Sequence, residues 1–507
     1  MRIMGMRLAA TGVLLLCAMA MQAHAATITV TNTNDSGPGS LRQALTIAND
    51  GDTITFAVTG TIMLTSGGLP IAKNLTISGP GSNQLSIDAN QALFVFGVYP
   101  GETAAISGLT VRNGEVGIWN EQGTLALNDC VISGNSPYEG LYNHYGALTA
   151  SNCVVTGNSE GVYNNEGTLS VNNCVLNGNS YTALFSYFGV TTTVNNCVVS
   201  GNSSGGLVNY VFQGPNDHIA GYGMTIADSI ISDNSGPGVW NVGFLTVLDS
   251  TISGNSAGQA VDGGGILSGT SFKAAASATL INCTISGNSA PGVGGGIASY
   301  YWGVTIVNST ISGNSAGDAG GGISSYTGVQ IFNSTLSGNS AGSAGGGILT
   351  SGGRISNSTL SGNSAVSGGG IYNVAGQYGA TLETGNTIFN RGASGENIVN
   401  NDGTVTSHGY NVCNDDGGGY LNGPGDQINT DPLLGPLQDN GGPTLTHALL
   451  PGSPAIDAGD PNFTPPPSRD QRGPCFYRVF GRRIDVGSVE TQPGPRCPTP
   501  KPRPTPH

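Results

Sequence analysis

A short repeat that ends in Gly-Asn-Ser constrains the fold of this chain more than any other feature. The unit reads Asn or Asp, Cys or Ser, any residue, an aliphatic residue, Ser or Thr, and then Gly-Asn-Ser, as in segment 129–136. Repeats of about 20 to 50 residues are typical of solenoids and propellers. The two longest spacings between successive Gly-Asn-Ser turns predict projecting loops at 212–223 and 268–277. The Asn recurs every 21 to 33 residues, at Asn135, Asn158, Asn179, Asn202, Asn234, Asn255, Asn288, Asn314, Asn339 and Asn363.

The content of each unit decides which solenoid the repeat forms. A unit holds two or three short strand-like runs separated by Gly or Asn, and none has a helical pattern. Helical solenoids are therefore excluded, and the Leu spacing of leucine-rich repeats is missing. The remaining possibility is a solenoid in which each coil has about 22 residues and rises by the strand spacing of about 4.8 Å. The sequence predicts an all-β fold, a single-stranded right-handed parallel β-helix with a short N-terminal capping helix and a C-terminal non-repeat domain.

The chain divides into five predicted segments. Residues 1–25 have a basic start, an apolar run and an Ala-His-Ala site, which is the layout of a secretory signal peptide. Residues 26–58 contain a strand and a capping helix that begins with the capping box of Ser40 and Gln43. We expect the β-helix over 59–392, a separate domain over 393–490 and an extended Pro-rich tail over 491–507. The signal peptide predicts secretion or a place in the cell envelope.

The cysteines of the mature chain do not form a disulfide framework by spacing alone. Five of them share one position of the repeat with serines, which indicates a tight stack of small side chains rather than reactive thiols or bridges between coils. The position is occupied by Cys130, Cys153, Cys174, Cys197 and Cys283, and in other units by Ser229, Ser250, Ser309, Ser334 and Ser358.

Segments at both ends of the chain resemble known families. The segment Ser40-Leu41-Arg42-Gln43-Ala44 is similar to the N-terminal region of CSLREA-type exported proteins. The Gly-Gly-Gly-Ile units resemble polymorphic outer-membrane and pectin-lyase-like repeats. The resemblance covers nearly the whole mature chain and implies an exported β-helix protein. A resemblance to the choice-of-anchor Q domain rests on segments 431–434, 440–444, 454–457 and 470–473.

An enzyme acting on extracellular polysaccharide is the alternative that the fold suggests. A lyase needs a basic residue near the sugar, yet no Lys or Arg lies between Arg112 and Lys273. The net charge of −14 repels polyanionic substrates and argues against nucleic acid. A hydrolase needs paired carboxylates on one strand face, and the adjacent pair Asp415-Asp416 lies outside the repeats. We expect a protein that is not an enzyme, with a polysaccharide lyase or glycoside hydrolase as the alternative.

Aromatic residues are the positive indication of a binding function. The residue after each inward aliphatic should point outward, and so should the residue two positions further on. Exposed aromatic rings stack on sugar faces, although stacked rings also stabilise a sheet without any ligand. We predict that a polysaccharide or another cell-surface component binds to an adhesin-like surface formed by Tyr142, Tyr163, Phe185, Tyr187, Tyr210, Trp240, Tyr300 and Tyr326.

The sequence indicates no cofactor. His144, His218, His408 and His447 lack the spacing of metal ligands. The Asp-rich C-terminal region has residues suited to Ca²⁺ but no defined calcium loop. No apolar run in the mature chain is long enough to span a membrane. We expect a monomer.

Overall fold

The computed structural model describes residues 25–211, 223–258, 262–269, 276–376 and 379–492. The predicted signal peptide, both predicted loops and the predicted tail lie largely or wholly outside these residues. Three long sheets, of 16, 14 and 15 strands, run the length of the chain, and every strand in them pairs in parallel with its counterpart one coil away. The predicted fold class, an all-β parallel β-helix, is confirmed.

We name the three sheets A, B and C. Sheet A contains the strands Thr27–Val30, Thr53–Phe56, Leu75–Ser78, Thr103–Ser107, Thr124–Asn128, Ala147–Ser151, Thr168–Asn172, Thr191–Asn195, Gly223–Ala227, Phe244–Leu248, Ser277–Ile281, Val304–Val307, Val329–Phe332, Gly353–Ser356, Thr381–Gly385 and Thr404–Gly409. Sheet B contains Gly60–Met63, Leu85–Asp88, Thr110–Arg112, Val131–Ser133, Val154–Thr156, Val175–Asn177, Val198–Ser200, Ile230–Ser232, Thr251–Ser253, Thr284–Ser286, Thr310–Ser312, Thr335–Ser337, Thr359–Ser361, Ile388–Asn390 and Val412–Cys413. Sheet C contains Leu69–Ile71, Phe94–Val98, Val116–Glu121, Glu139–His144, Glu160–Asn165, Thr182–Tyr187, Gly205–Tyr210, Val239–Val242, Ile266–Ser268, Ile297–Ser299, Ile323–Ser325, Ile348–Thr350, Ile371–Val374 and Ile398–Asn401.

Two smaller sheets accompany them. Parallel strands Ser289–Ala290, Ser315–Ala316 and Ser340–Ala341 form one, and antiparallel strands Leu434–Gln438 and Thr446–Leu449 form the other.

Aliphatic columns fill the inside of the solenoid. On sheet A, Leu125, Leu148 and Leu169 occupy the same register on successive coils, and all three are buried. Because side chains alternate along a strand, their neighbours Ala126, Thr149 and Ser170 face outward. Each buried Leu contributes about 1.5–3 kcal/mol relative to an exposed one. The columns of identical or similar residues thus form one continuous core.

The repeated Asn forms a buried ladder at the turn between sheets B and C. The side-chain Oδ1 of Asn179 accepts the backbone N–H of Asn158 at 3.0 Å, and its Nδ2 donates to Asn202 Oδ1 at 2.9 Å. The same pattern runs from Asn135 to Asn363. The amide satisfies a buried backbone group that sheet pairing leaves open, so the turn repeats more strictly than the strands.

The Cys/Ser position forms a second buried ladder. The N–H of Cys153 donates to the sulfur of Cys174 at 3.3 Å, and that of Cys197 donates to Ser229 Oγ at 3.1 Å. The five cysteines are buried thiols, as is Cys413, whereas Cys475 is disulfide-bonded. The hydrogen bond with Cys130 lowers the pKa of Cys153, but the hydrogen bond with Cys174 and burial outweigh it and raise this pKa to about 12. These thiols are packing groups.

A short helix covers the N-terminal end of the solenoid. It spans Leu41–Ile47 and begins at Ser40, whose side chain accepts the N–H of Gln43. Gln43 Oε1 in turn accepts the N–H of Gly39 at 2.7 Å. Leu41 and Leu45 are buried against the first coils, so the helix shields the open end of the core.

The ladders extend beyond the predicted limits of 59 and 392. They begin at Thr27–Val30, which pairs with Thr53–Phe56, and end at Val412–Cys413. The first and last coils lack the Gly-Asn-Ser turn, so the repeat alone understates the length of the solenoid.

The C-terminal segment 414–492 packs across the later coils of sheet B. Gln471 Nε2 donates to Thr310 Oγ1 at 2.8 Å, and its Oε1 accepts from Thr335 Oγ1 at 2.6 Å. Ser488 N–H donates to Thr359 Oγ1 at 3.1 Å. Thr310, Thr335 and Thr359 stack in register on three coils and are buried by this segment.

Candidate functional site

The outer face of sheet C carries the candidate site. In the strand Glu139–His144 the inward residue is Leu141, so Tyr142 and His144 lie on the outer face. In-register pairing then places Tyr142, Tyr163 and Phe185 directly above one another on consecutive coils. The same pairing adds Trp119 below them, and Tyr187 and Tyr210 in the second outward register.

These six rings form one contact network, which we call the aromatic strip. The centroids of Tyr142 and Tyr163 lie 5.6 Å apart, and those of Tyr163 and Phe185 lie 5.3 Å apart with an interplanar angle of 4°. Tyr187 and Tyr210 stack at 5.8 Å and 12°. Trp119 meets Tyr142 edge to face at 5.6 Å. The rings are half-buried by one another, and their outer surfaces face solvent.

The other predicted residues lie apart from this strip. Tyr300 and Tyr326 stack on each other at 5.4 Å and 16°, further along the solenoid. Between the two groups Trp240 packs against a small apolar cluster that includes Leu267 and Ala298. Seven of the eight predicted residues therefore fall into two groups, five in the strip and two in the stack of Tyr300 and Tyr326, and Trp240 belongs to the apolar cluster. Their role in ligand binding stays a prediction.

Sequence reasoning missed a carboxylate pair beside the strip. Glu139 and Glu160 occupy the same register on adjacent coils of sheet C, and both are half-buried. Thr182 Oγ1 donates to Glu160 Oε1 at 2.5 Å. Burial, together with the charge of Glu139, raises the pKa of Glu160 to about 7, and burial raises the pKa of Glu139. These two residues are 21 positions apart and become neighbours only because each turn of the solenoid stacks on the previous one. A search for acidic residues adjacent in sequence therefore does not find them.

A second acidic group lies across the strip. His144 Nδ1 lies 2.9 Å from both carboxylate oxygens of Glu121, and the indole N–H of Trp119 donates to Glu121 at 3.1 Å. Burial raises the pKa of Glu121, but the hydrogen bonds from His144 and Trp119 outweigh this effect, so the pKa is lowered. This network fixes the ring orientation of Trp119 and keeps Glu121 anionic.

An apolar cavity of about 550 Å³ lies at the end of the strip nearest the N-terminus. Its walls include Leu93, Phe94, Tyr99 and Trp119. Gly97 lies directly beneath Trp119 in the ladder, so the ring column stops there. Leu93 and Tyr99 are exposed, and the cavity continues the apolar surface of the strip.

The described part of the chain has no evident metal centre. Within it, no three His, Cys, Asp or Glu side chains cluster closely enough to hold a metal ion. Its helices are too short or too polar to cross a membrane.

The early coils of the solenoid match a family model. Residues 59–216 match the family model described as a right handed beta helix region. Nearly all β-strand crossovers of this kind are right-handed. No curated protein matches the chain in sequence.

Several solved structures are similar to the chain. A pectate lyase, Pel9A, is 14% identical over 92% of this chain and 96% of its own, with a TM-score of 0.29. The A-module of the mannuronan C-5 epimerase AlgE4 from Azotobacter vinelandii is 15% identical over 76% and 93%, with a TM-score of 0.39. Tailspike protein 3 of bacteriophage CBA120 is 13% identical over 70% and 58%, with a TM-score of 0.41. At these identities the similarity concerns the fold alone, and the chain itself is a right-handed parallel β-helix.

Proposed function

We propose that this chain is an exported, non-enzymatic β-helix protein that binds glycan along the aromatic strip. The observation that carries the proposal is the register of Trp119, Tyr142, Tyr163 and Phe185, which offers one aromatic ring per coil. The ring centroids on neighbouring coils lie between 5.3 and 5.6 Å apart. A polymer of sugars that runs along the solenoid axis would meet one ring after another.

The charge of the site favours some glycans over others. Glu121, Glu139 and Glu160 flank the rings, His144 hydrogen-bonds Glu121, and no Lys or Arg lies between Arg112 and Lys273. Carboxylates on the ligand would face carboxylates on the protein. We therefore expect neutral polysaccharides to bind better than uronate polymers, and we expect no binding to nucleic acid.

Location at the cell surface or in the medium fits this role. The segment 1–25 has the layout of a signal peptide. Cys475 is disulfide-bonded, and disulfides persist mainly in oxidising compartments. The resemblance of segment 393–490 to the choice-of-anchor Q domain supports an adhesin-like, envelope-associated protein. We propose that it acts as a monomer and without a cofactor.

The test compares binding to a panel of neutral and acidic polysaccharides by the parent protein and by the triple variant Tyr142→Ser, Tyr163→Ser, Phe185→Ser. We expect the variant to lose at least about tenfold in affinity, or about 1.4 kcal/mol, because three stacking faces are removed. The double variant Tyr300→Ser, Tyr326→Ser is the matched control, since it removes a ring stack outside the strip. Equal binding by the parent and the triple variant would reject the strip as the site.

One observation favours glycoside hydrolysis as a second candidate function. Glu139 and Glu160 occupy the same register on adjacent strands, and retaining glycosidases use a pair of neighbouring carboxyl groups. Glu160, with its pKa raised to about 7, would protonate the leaving oxygen while the Glu139 carboxylate attacks the anomeric carbon. Water would then hydrolyse the glycosyl-enzyme, with Glu160 as the base. A lyase has no comparable support, because the strip lacks a Lys or Arg.

Release of reducing ends from each polysaccharide in the panel decides between the two functions. Hydrolysis predicts product release that Glu160→Gln and Glu139→Gln each abolish while Glu166→Gln, an exposed residue on the same coil, does not. Binding without product release supports the non-enzymatic function.

A further inference from the structure

A buried carboxylate, Asp52, holds the residue that precedes the first strand. The backbone nitrogen of Ala26 donates to Asp52 Oδ1 at 2.6 Å, and Asp52 Oδ2 accepts the N–H of Asn49 at 2.8 Å. The carbonyl of Ala26 accepts the N–H of Thr53 at 2.8 Å, one position before the first strand begins. Asp52 thus connects the start of the first strand to the loop that follows the capping helix.

The charged groups around Asp52 are few. Lys73 lies close enough to act on it electrostatically, but its Nζ donates to the carbonyls of Thr46 and Ala48. Asp50 accepts the N–H of Asn74 at 2.8 Å. The hydrogen bonds from Asn49 and Ala26 lower the pKa of Asp52, so it is anionic at neutral pH. The neutral backbone amide of Ala26 supplies this carboxylate with a single hydrogen-bond donor.

We propose that Asp52 binds the α-ammonium group that forms when the signal peptide is removed at the Ala25–Ala26 bond. This inference rests on the proposed export. Hydrolysis by the export peptidase adds water across the bond, which leaves a carboxylate on Ala25 and an amine on Ala26 that takes up a proton. Asp52 then faces a cation with three donors, and a charge-assisted hydrogen bond is about twice as strong as a neutral one.

The geometry selects this bond over its neighbours. Ala25 and Ala26 are exposed, whereas Thr27 already pairs with Thr53 in sheet A. Cleavage one residue later would remove the Ala26 nitrogen from Asp52. Cleavage one residue earlier would move the ammonium about 3.3–3.6 Å away along the extended chain. Only the amine of Ala26 coincides with a donor that Asp52 already accepts.

Reactivity of the N-terminal amine tests the proposal on the folded chain. The protein with Ala26 as its first residue is treated at neutral pH with an amine-acylating ester, and the N-terminal peptide is followed by mass spectrometry. Pairing with Asp52 raises the pKa of the amine above its ordinary value of about 7.7–8.0, and acylation slows because less of the amine is unprotonated. We expect acylation at least about tenfold slower than for an unpaired amine, which corresponds to a pKa higher by about one. Asp52→Asn restores the ordinary rate, whereas the neighbouring variant Asp50→Asn leaves it slow.

Two further measurements test the proposal independently of the Asp52→Asn variant. A chain extended by two residues before Ala26 keeps Asp52 intact and should react at the ordinary rate, so the comparison does not depend on how Asp52→Asn folds. Equal rates in the extended and unextended chains would overturn the proposal. Secreted protein should begin at Ala26, and a different first residue would also overturn it. Retention of the protein inside the cell would instead contradict the proposed export.

Discussion

At the scale of single residues, the turn Asn explains why this sequence repeats at all. Asn179 accepts one backbone N–H, donates to the next Asn and also donates to the carbonyl of Val155 at 3.3 Å. Ser is too short to make all three contacts, and Asp lacks the N–H donors. Each coil therefore needs the same residue, because its amide is a partner for both neighbouring coils.

Replacing Asn179 by Ala should destabilise the protein by about 2–4 kcal/mol, because several buried polar groups lose their partner. Asn177→Ala is the matched control on the same coil, since Asn177 is less buried and its Oδ1 has no hydrogen-bond partner among the described residues. Urea denaturation followed by circular dichroism measures the difference. Equal midpoints for the two variants would show that the ladder does not stabilise the coils.

Glu160 makes a second prediction at this scale, about pH. Its pKa is raised to about 7 in the folded protein, above the ordinary 4.5. The folded state then binds the proton more tightly, so its contribution to stability is full below pH 4.5 and is lost as the pH rises to about 7. The loss is at most about 3 kcal/mol.

Glu160→Gln removes the titrating group, so the melting temperature should fall less between pH 4.5 and 7 than in the parent. Glu396→Gln, at an exposed position, should leave the parent profile unchanged. An identical profile for Glu160→Gln and the parent would mean that Glu160 is not protonated near neutrality.

At the scale of elements, the strands were predictable and the C-terminal segment was not. Period-two alternation and the repeated turn predict which residues enter the core. Segment 414–492 has little regular structure, and its contacts with Thr310 and Thr335 join residues more than 130 positions apart. Such contacts depend on side-chain complementarity, which no periodicity encodes. The motif at 470–473 therefore acts here by anchoring this segment to sheet B.

Gln471→Ala should loosen this segment, because Thr310 and Thr335 lose a buried partner. A loss of about 2 kcal/mol of local stability corresponds to a roughly 25-fold larger population of the opened state. Limited proteolysis should cut faster within 414–492 and leave the coils intact. Gln438→Ala, at an exposed position, is the control. Unchanged cleavage in Gln471→Ala would place the anchor elsewhere.

At the scale of the whole molecule, the repeat predicts the scaffold and only part of the site. Outward alternation correctly places Tyr142, Tyr163 and Phe185 on one face. Trp119 was missed because its coil has Asn-Gly-Glu in place of the Gly-Asn-Ser turn. Glu139 and Glu160 were missed because they are neighbours only across coils. The regular positions build the solenoid, and the departures from the repeat give sheet C its distinctive outer surface.

The most direct test of glycan binding along the strip is a chain-length series. Calorimetry would measure the affinity of the full chain for oligomers, from a single sugar to a hexamer, of the polysaccharide that binds best. We predict that affinity rises with each added sugar, because each new unit reaches the next ring, and that Tyr163→Ser flattens this rise at the centre of the strip. A single sugar that binds as tightly as the hexamer would contradict binding along the solenoid axis.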